Sequence, residues 1–283
     1  MNKPISVIVH TLNEENNIGN CLESVKWADE IIVVDMYSDD KTVEIARKYT
    51  DKILMHERCR YVEPARQWAV EQASHEWVLV IDADELVPIK TRDLLRTIVN
   101  RDMYDVVIIP RVNYLFGQLM KGSRRGADED RQCRFFKKSF ITYTPKIHSF
   151  PQIRPDAQIG WLSGEDQALI HFNYVDIEQF IERLNCYTTI EAETAHLSGR
   201  TFNLENDFRE SMKQIQDIAI SEEGFMKDGI YGLGVAVLMA MYRFSIALKL
   251  KLIEDYNSMS PRDVIRSKYQ SIADDIISQY HES

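Results

Sequence analysis

EWVLVIDADEL, residues 76–86, is the stretch on which the fold turns. Its short apolar run, Trp77 to Ile81, reads as a strand buried on both faces. That run delivers an Asp-Ala-Asp-Glu cluster to its end. Side chains two apart on an extended segment point to the same side, so Asp82 and Asp84 present two carboxylates together. Like charges held together repel unless a cation stands between them. Mg²⁺ or Mn²⁺ suits that place, because such ions bind phosphates while taking only one or two protein carboxylates. A solvated loop or a helix cap is the plainer account of the same residues. The end of a strand in an α/β frame is what favours the metal.

Working outward, strand and helix patterns alternate through the first 110 residues. ISVIVH (5–10) is a β-branched run that predicts a first buried strand. Asn13 follows as an N-cap, with Glu14 and Glu15 in a first turn and Ile18, Cys21, Leu22 and Val25 at helical spacing. EIIVVD (30–35) and KILMH (52–56) predict further strands, and DKTVEIARKYT (40–50) a helix. Pro64 suits the first turn of a helix carrying Ala65, Trp68, Ala69 and Ala73. A helix around Leu94 to Val99 and a strand YDVVIIP (104–110) complete the series. Such alternation predicts an α/β fold, a mostly parallel sheet flanked by helices, with ligands at the carboxyl ends of the strands.

The chain has 283 residues and a formal charge of −10, which argues against a general nucleic-acid binder because phosphate backbones would be repelled. Its four cysteines, Cys21, Cys59, Cys133 and Cys186, lack the spacing of a zinc site or a disulfide framework and fit a reducing cytosol. The N-terminal apolar run is too short for a signal peptide. After residue 111 the rhythm changes. FGQLMKGSRRGADEDRQCRFFKK (116–138) is charged and without a clean period, as in a long mobile loop, and the chain turns helical from about Ile177. The expected units are 1–115 for the nucleotide side, 116–175 for the acceptor side with its loop, and 176–283 for a helical extension. GIYGLGVAVLMAMY (229–242) is apolar but only 14 residues long, short of the ~20 a membrane span needs. With Arg243, Lys249 and Lys251 behind it, residues 229–252 read as a core helix, an oligomer contact or a peripheral membrane contact.

Three stretches carry a resemblance: VIVHTLNEENNIGNCLESVKWADEIIVVDMYSDDKT (7–42), EPARQWAVEQASHEWVLVIDADE (63–85) and GADEDRQCRFF (126–136). Together they resemble the signatures of family-two glycosyltransferases, nearest in look to the bacterial branch with lipopolysaccharide-core glucosyltransferases. The likeness is strongest over residues 5–136. It implies a GT-A fold, a nucleotide-diphosphate sugar donor and transfer with inversion. Carried over by position, Thr11, Asn13, Glu14 and Asp35 contact the nucleotide sugar, Arg66 lies by the phosphates, and Asp82 and Asp84 form the DxD pair. Asp84 is the more direct ligand of Mn²⁺ or Mg²⁺. From spacing alone, Asp35 accepts from a base or ribose, or caps the next helix. This sequence has Met36-Tyr37 where members often have Ser, and Gln67 where they often have Asn.

Inverting transfer needs a base within about 2.6–3.2 Å of the acceptor hydroxyl. By its place in EDRQCRFF, Asp130 resembles the family's catalytic carboxylate, with Glu129 second. Arg134, with Arg124, Arg125 and Arg131, steadies the diphosphate or an anionic acceptor. KIHS, with His148, resembles the place of a histidine that completes the metal shell, and His171 is a lesser candidate. The expected partners are a nucleotide-sugar donor, UDP-hexose or UDP-N-acetylhexosamine, and a glycan or lipid-linked acceptor, in a cytoplasmic enzyme at the membrane's inner face. The alternatives are a sugar nucleotidyltransferase, which usually wants a glycine-rich basic loop where HTLNEENN stands, and an inactive nucleotide-binding scaffold.

Overall fold

The computed structural model describes residues 3–58, 63–144, 150–220 and 224–282. Its first part alternates as the patterning predicts: β1 (Ile5–Thr11), α1 (Ile18–Val25), β2 (Glu30–Asp35), α2 (Thr42–Ala46), β3 (Ile53–Met55), α3 (Glu63–Glu71) and β4 (Trp77–Asp82). β5 (Glu85–Leu86), α4 (Ile89–Arg101), β6 (Val106–Leu115), β7 (Gln118–Leu119) and β8 (Arg131–Lys137) follow, then the short β9 (Ile141–Thr142), β10 (Gln152–Ile153), β11 (Ile159–Trp161) and β12 (Leu169–Phe172). The main sheet runs β3-β2-β1-β4-β8-β6-β12-β5, with β7 and β11 also on β6 and with β9 and β10 paired apart.

β3, β2, β1 and β4 are mutually parallel, and helices on both faces bury them. Leu79, Ile81 and Phe135 close one face with Ile18 and Leu22, while Ile8, Val80 and Phe136 close the other with Ala69 and Val70. Each fully buried Val, Leu, Ile or Phe among them contributes about 1.5–3 kcal/mol relative to exposure. The parallel register sets Thr11 opposite Asp35 and His10 opposite Asp82. Three polar strand ends thus share one rim.

Two readings of the sequence are corrected. Asn13 does not cap the first helix. It sits at φ 55°, its side chain accepts the Asp39 amide at 2.8 Å, and the helix begins at Ile18. The larger departure is β8, which lies antiparallel between β4 and β6 in the middle of the sheet, inside the stretch expected to be loop. Cys133, Arg134, Phe135 and Phe136 are all buried there. Arg134 masks the strand pattern, and its burial is possible because carboxylates from β4 and β5 pair with it. The remainder of that stretch is anchored too: the Asp228 carboxylate accepts the amides of Lys121 at 2.7 Å and Gly122 at 3.0 Å.

The C-terminal part is helical: α5 (Ile177–Leu197), α6 (Leu204–Ile215) running into a π-helical turn, α7 (Gly224–Tyr256) and α8 (Pro261–Glu282). Asp176 caps α5 by accepting the Gln179 amide. Tyr242, Ile246, Leu250 and Ile253 on the inner face of α7 pack against Phe180, Leu184 and Ala192 of α5. The 229–242 run therefore belongs to a longer helix, whose segment Lys227–Tyr256 is long and apolar enough to cross a membrane by length and composition. Gly229, at φ 56° and ψ −135°, breaks its regular geometry near the start.

Candidate active site

The carboxylates at the end of β4 are not equivalent. Both oxygens of Asp82 accept from Arg66 Nη2, at 3.0 and 3.1 Å, and Oδ2 also accepts from Arg134 Nη2 at 2.6 Å. Burial works against ionisation of Asp82, but the Arg134 and Arg66 guanidiniums overrule it and hold the carboxyl well below its usual range. Glu85, fully buried, accepts from Arg134 at 3.2 Å and from Arg111 at 3.1 Å, and also takes the Asp82 amide at 3.0 Å. Asp82, expected as a second metal ligand, is thus neutralised by protein cations.

Asp84 is the carboxylate left over. It is buried, and its Oδ1 has no hydrogen-bond partner. His171 Nε2 stands 3.6 Å from Oδ2, too far for a hydrogen bond. Sheet register makes this meeting: β12 pairs antiparallel with β5, setting His171 opposite Glu85, and the Phe172 amide donates to the Asp84 carbonyl at 3.0 Å. On its other side β12 runs parallel to β6, with His171 opposite Asn113.

Asn113, completely buried, joins this pair to Asp130. Its amide nitrogen donates to Asp130 Oδ2 at 2.9 Å and to the Arg125 carbonyl at 2.7 Å, so its oxygen faces His171 Nδ1 at 2.7 Å. Nδ1 must then carry a proton, so in the neutral imidazole it is the Nε2 lone pair that faces Asp84. Asp130 also accepts from Arg111 Nε and Nη2, each at 3.1 Å, and from Gln132 Nε2 at 2.8 Å. Burial pushes the Asp130 carboxyl up, but Arg111, Gln132 and Asn113 together outweigh it and keep the group below its usual range.

On the nucleotide side, the Thr11 hydroxyl and Arg66 Nη1 are buried without partners. Asp35 is buried and spends both oxygens on Ser38, accepting its amide at 2.8 Å and its hydroxyl at 2.6 Å, so it caps the turn after β2. Glu14 is raised by burial and by the Asp84 charge, while Arg183 of α5 reaches it at 3.4 Å. His10 has both ring nitrogens buried and unpartnered; burial, with Arg66 next, brings its pKa down to about 3. Glu129 is exposed on the turn before Asp130. His148 lies outside the described residues.

Thr11, Glu14, Arg66, Asp84, Gln132 and His171 line a cleft of about 1560 Å³ that runs along α5 to Tyr187, Tyr242 and Arg243, and Asp130 lies behind its wall, bonded to the lining residues Arg111 and Gln132. Among the described residues, no three His, Cys, Asp or Glu side chains converge as a complete metal cage. Asp84 and His171 supply one oxygen and one nitrogen, which suits an ion that takes its other ligands from phosphates and water. Sequence reasoning missed Glu85, Arg111, Asn113 and Gln132. The alternation Arg111-Val112-Asn113 beyond an apolar strand was the signal for two of them, since it sets both side chains on one face.

The chain is 29% identical over 206 residues to the lipopolysaccharide core biosynthesis glycosyltransferase LpsC of Rhizobium meliloti, covering 70% of this chain and 73% of that one. It is 28% identical over 276 residues to an uncharacterized glycosyltransferase of Rickettsia typhi, covering 94% and 91%. Among solved structures, S. aureus TarS 1–349 superposes with a TM-score of 0.46 at 18% identity, over 92% of this chain and 91% of that one. The profile described as glycosyl transferase family 2 matches residues 6–152, more than half of the sequence, and the chain belongs to that family.

Proposed function

We propose that this glycosyltransferase moves a hexose or N-acetylhexosamine from a UDP-sugar to a hydroxyl of a glycan or glycolipid, with inversion and with the help of a divalent ion. The observation that carries the reading is Asp84: a buried carboxylate oxygen without a partner, beside a histidine Nε2 that Asn113, bonded to Nδ1, leaves unengaged. Asp84 and His171 would hold Mn²⁺ or Mg²⁺, which when bound neutralises charge on the diphosphate. Thr11 and Arg66 offer unsatisfied donors to the nucleotide, and Glu14 shapes the same rim. Asp82 keeps Arg66 and Arg134 in place.

Asp130 takes the acceptor proton. Its ionised form is favoured by Arg111, and Gln132, which lines the cleft, is the donor an incoming hydroxyl displaces. The acceptor oxygen then attacks the anomeric carbon as the bond to the diphosphate breaks on the opposite face, the electron pair leaving with UDP. The segment 117–130 covers the donor and limits hydrolysis. The outer face of α7 within 229–252 rests on the inner leaflet of the membrane, near a lipid-linked acceptor.

The test is UDP binding by calorimetry and UDP release from a panel of UDP-sugars, each with and without Mn²⁺. Both are expected to need the ion and to fall at least tenfold in Asp84→Ala and His171→Ala. Ion-independent binding and turnover, unchanged by either substitution, would overturn the reading.

A further inference from the structure

α8 makes little use of the rest of the molecule. Pro261 and Ile265 are half-buried, and every other residue from Arg262 to Tyr280 is exposed. Yet its apolar residues are ordered. Ile265, Tyr269, Ile272 and Ile276 recur at spacings of four, three and four, the seam of a two-stranded coiled coil. Tyr269 is 66% exposed, Ile272 47% and Ile276 50%, far from what a lone helix in water would select.

The charges on α8 are ordered as well. Arg262, Arg266 and Lys268 against Asp263 leave the first ten residues at +2, while Asp274, Asp275 and Glu282 put the remaining twelve at −3. An isolated helix prefers the reverse, with carboxylates at its positive N-terminal end and cations at its C-terminal end. Nor does the chain neutralise these groups itself: Asp274 accepts only from Gln270, and Arg262, Arg266, Lys268 and Asp275 have no ion pair among the described residues. A polarity that is wrong for one helix is right for two helices lying antiparallel.

We propose that α8 is a self-association element and that its occupant is α8 of a second copy, paired antiparallel about a two-fold axis. In this register Tyr269 packs beside Ile272 of the second copy and Ile265 beside Ile276 of the second copy. Lys268 then reaches Asp275 of the second copy, and the symmetry makes that pair twice. The antiparallel sense also separates the bodies. α8 leaves the molecule at Pro261 and is about 33 Å long. The two copies, each with a formal charge of −10, therefore stand at opposite ends of the helix pair; a parallel pair would press them together.

Sedimentation equilibrium of the full chain tests this at low and high salt. The mass is expected to rise from 33.0 kDa toward twice that value with concentration, and less readily in high salt. Lys268→Glu and Asp275→Lys should each weaken the dimer about tenfold, and the double exchange should restore it. Ile272→Glu should leave a monomer. All these positions are exposed, and an unchanged melting temperature would confirm intact folding. A monomer at every concentration overturns the proposal, as does a dimer that ignores the single exchanges or is not rescued by the double one. So does binding of α8 to anionic phosphatidylglycerol vesicles, lost in Ile272→Glu, without any dimer in solution.

Discussion

Asp82 and Asp84 leave the same strand, and their neighbours give them opposite duties. Two buried guanidiniums hold Asp82, whereas Asp84 has only His171 Nε2 nearby, at 3.6 Å, and one oxygen without a partner. Asp130 is the third carboxylate, and Asp130→Asn should lower transfer by about 10²–10⁴-fold while UDP affinity stays within threefold. Kinetics with acceptor, alongside UDP calorimetry, checks this; equal loss of both would make Asp130 a donor contact. His10 predicts a pH effect. Its unfolded pKa is 6.5 and its folded value about 3, so across that window the unfolded chain binds more protons. The contribution is complete above pH 6.5 and drains as pH falls, by on the order of 2 kcal/mol between pH 7 and 5. Urea unfolding at both pH values should show this slope in the native chain and lose it in His10→Asn; equal slopes would refute it. The losses from Asp82 fall lower, below its ordinary 3.8.

At the scale of elements, the strands β1, β2 and β4 were legible because β-branched runs bounded by polar residues have few other uses. β8 was not, because its periodicity is broken by Arg134, and only a partner far along the chain makes that residue a core residue. The start of α1 was missed for a similar reason: Asn13 and Glu15 spend their side chains on the turn before α2, a contact no local pattern reveals. His171 could be named from sequence, but its place opposite Glu85 follows only from antiparallel pairing of β12 with β5. The turn into β8 gives a prediction. Gly126 accepts the amides of Glu129 and Asp130, and a Cβ there would lie 2.7 Å from the Lys121 carbonyl oxygen, which is backbone and cannot swing away. Gly126→Ala should cost about 1–3 kcal/mol by urea denaturation and depress transfer more than UDP binding. Native stability with native transfer would show that the turn tolerates the methyl group.

For the whole molecule, the helical extension and the sheet domain are tied at three places, one of them in the cleft. Asp228 holds the amides of Lys121 and Gly122, Arg124 pairs with Asp217 at 3.2 Å, and Arg183 reaches Glu14. Asp228→Ala should cost about 0.5–1.5 kcal/mol and speed amide exchange at Lys121 and Gly122. It should also raise the ratio of donor hydrolysis to transfer at least threefold. Unaltered exchange at those two amides would remove the tether. The position of β8 has a consequence for synthesis. Until residue 137 has left the ribosome, the nascent chain has a raw β4 edge and lacks the Arg134 counter-charge for Asp82 and Glu85. A translation stall before residue 131 would therefore leave an acidic, unzipped half-sheet, a natural client for chaperones.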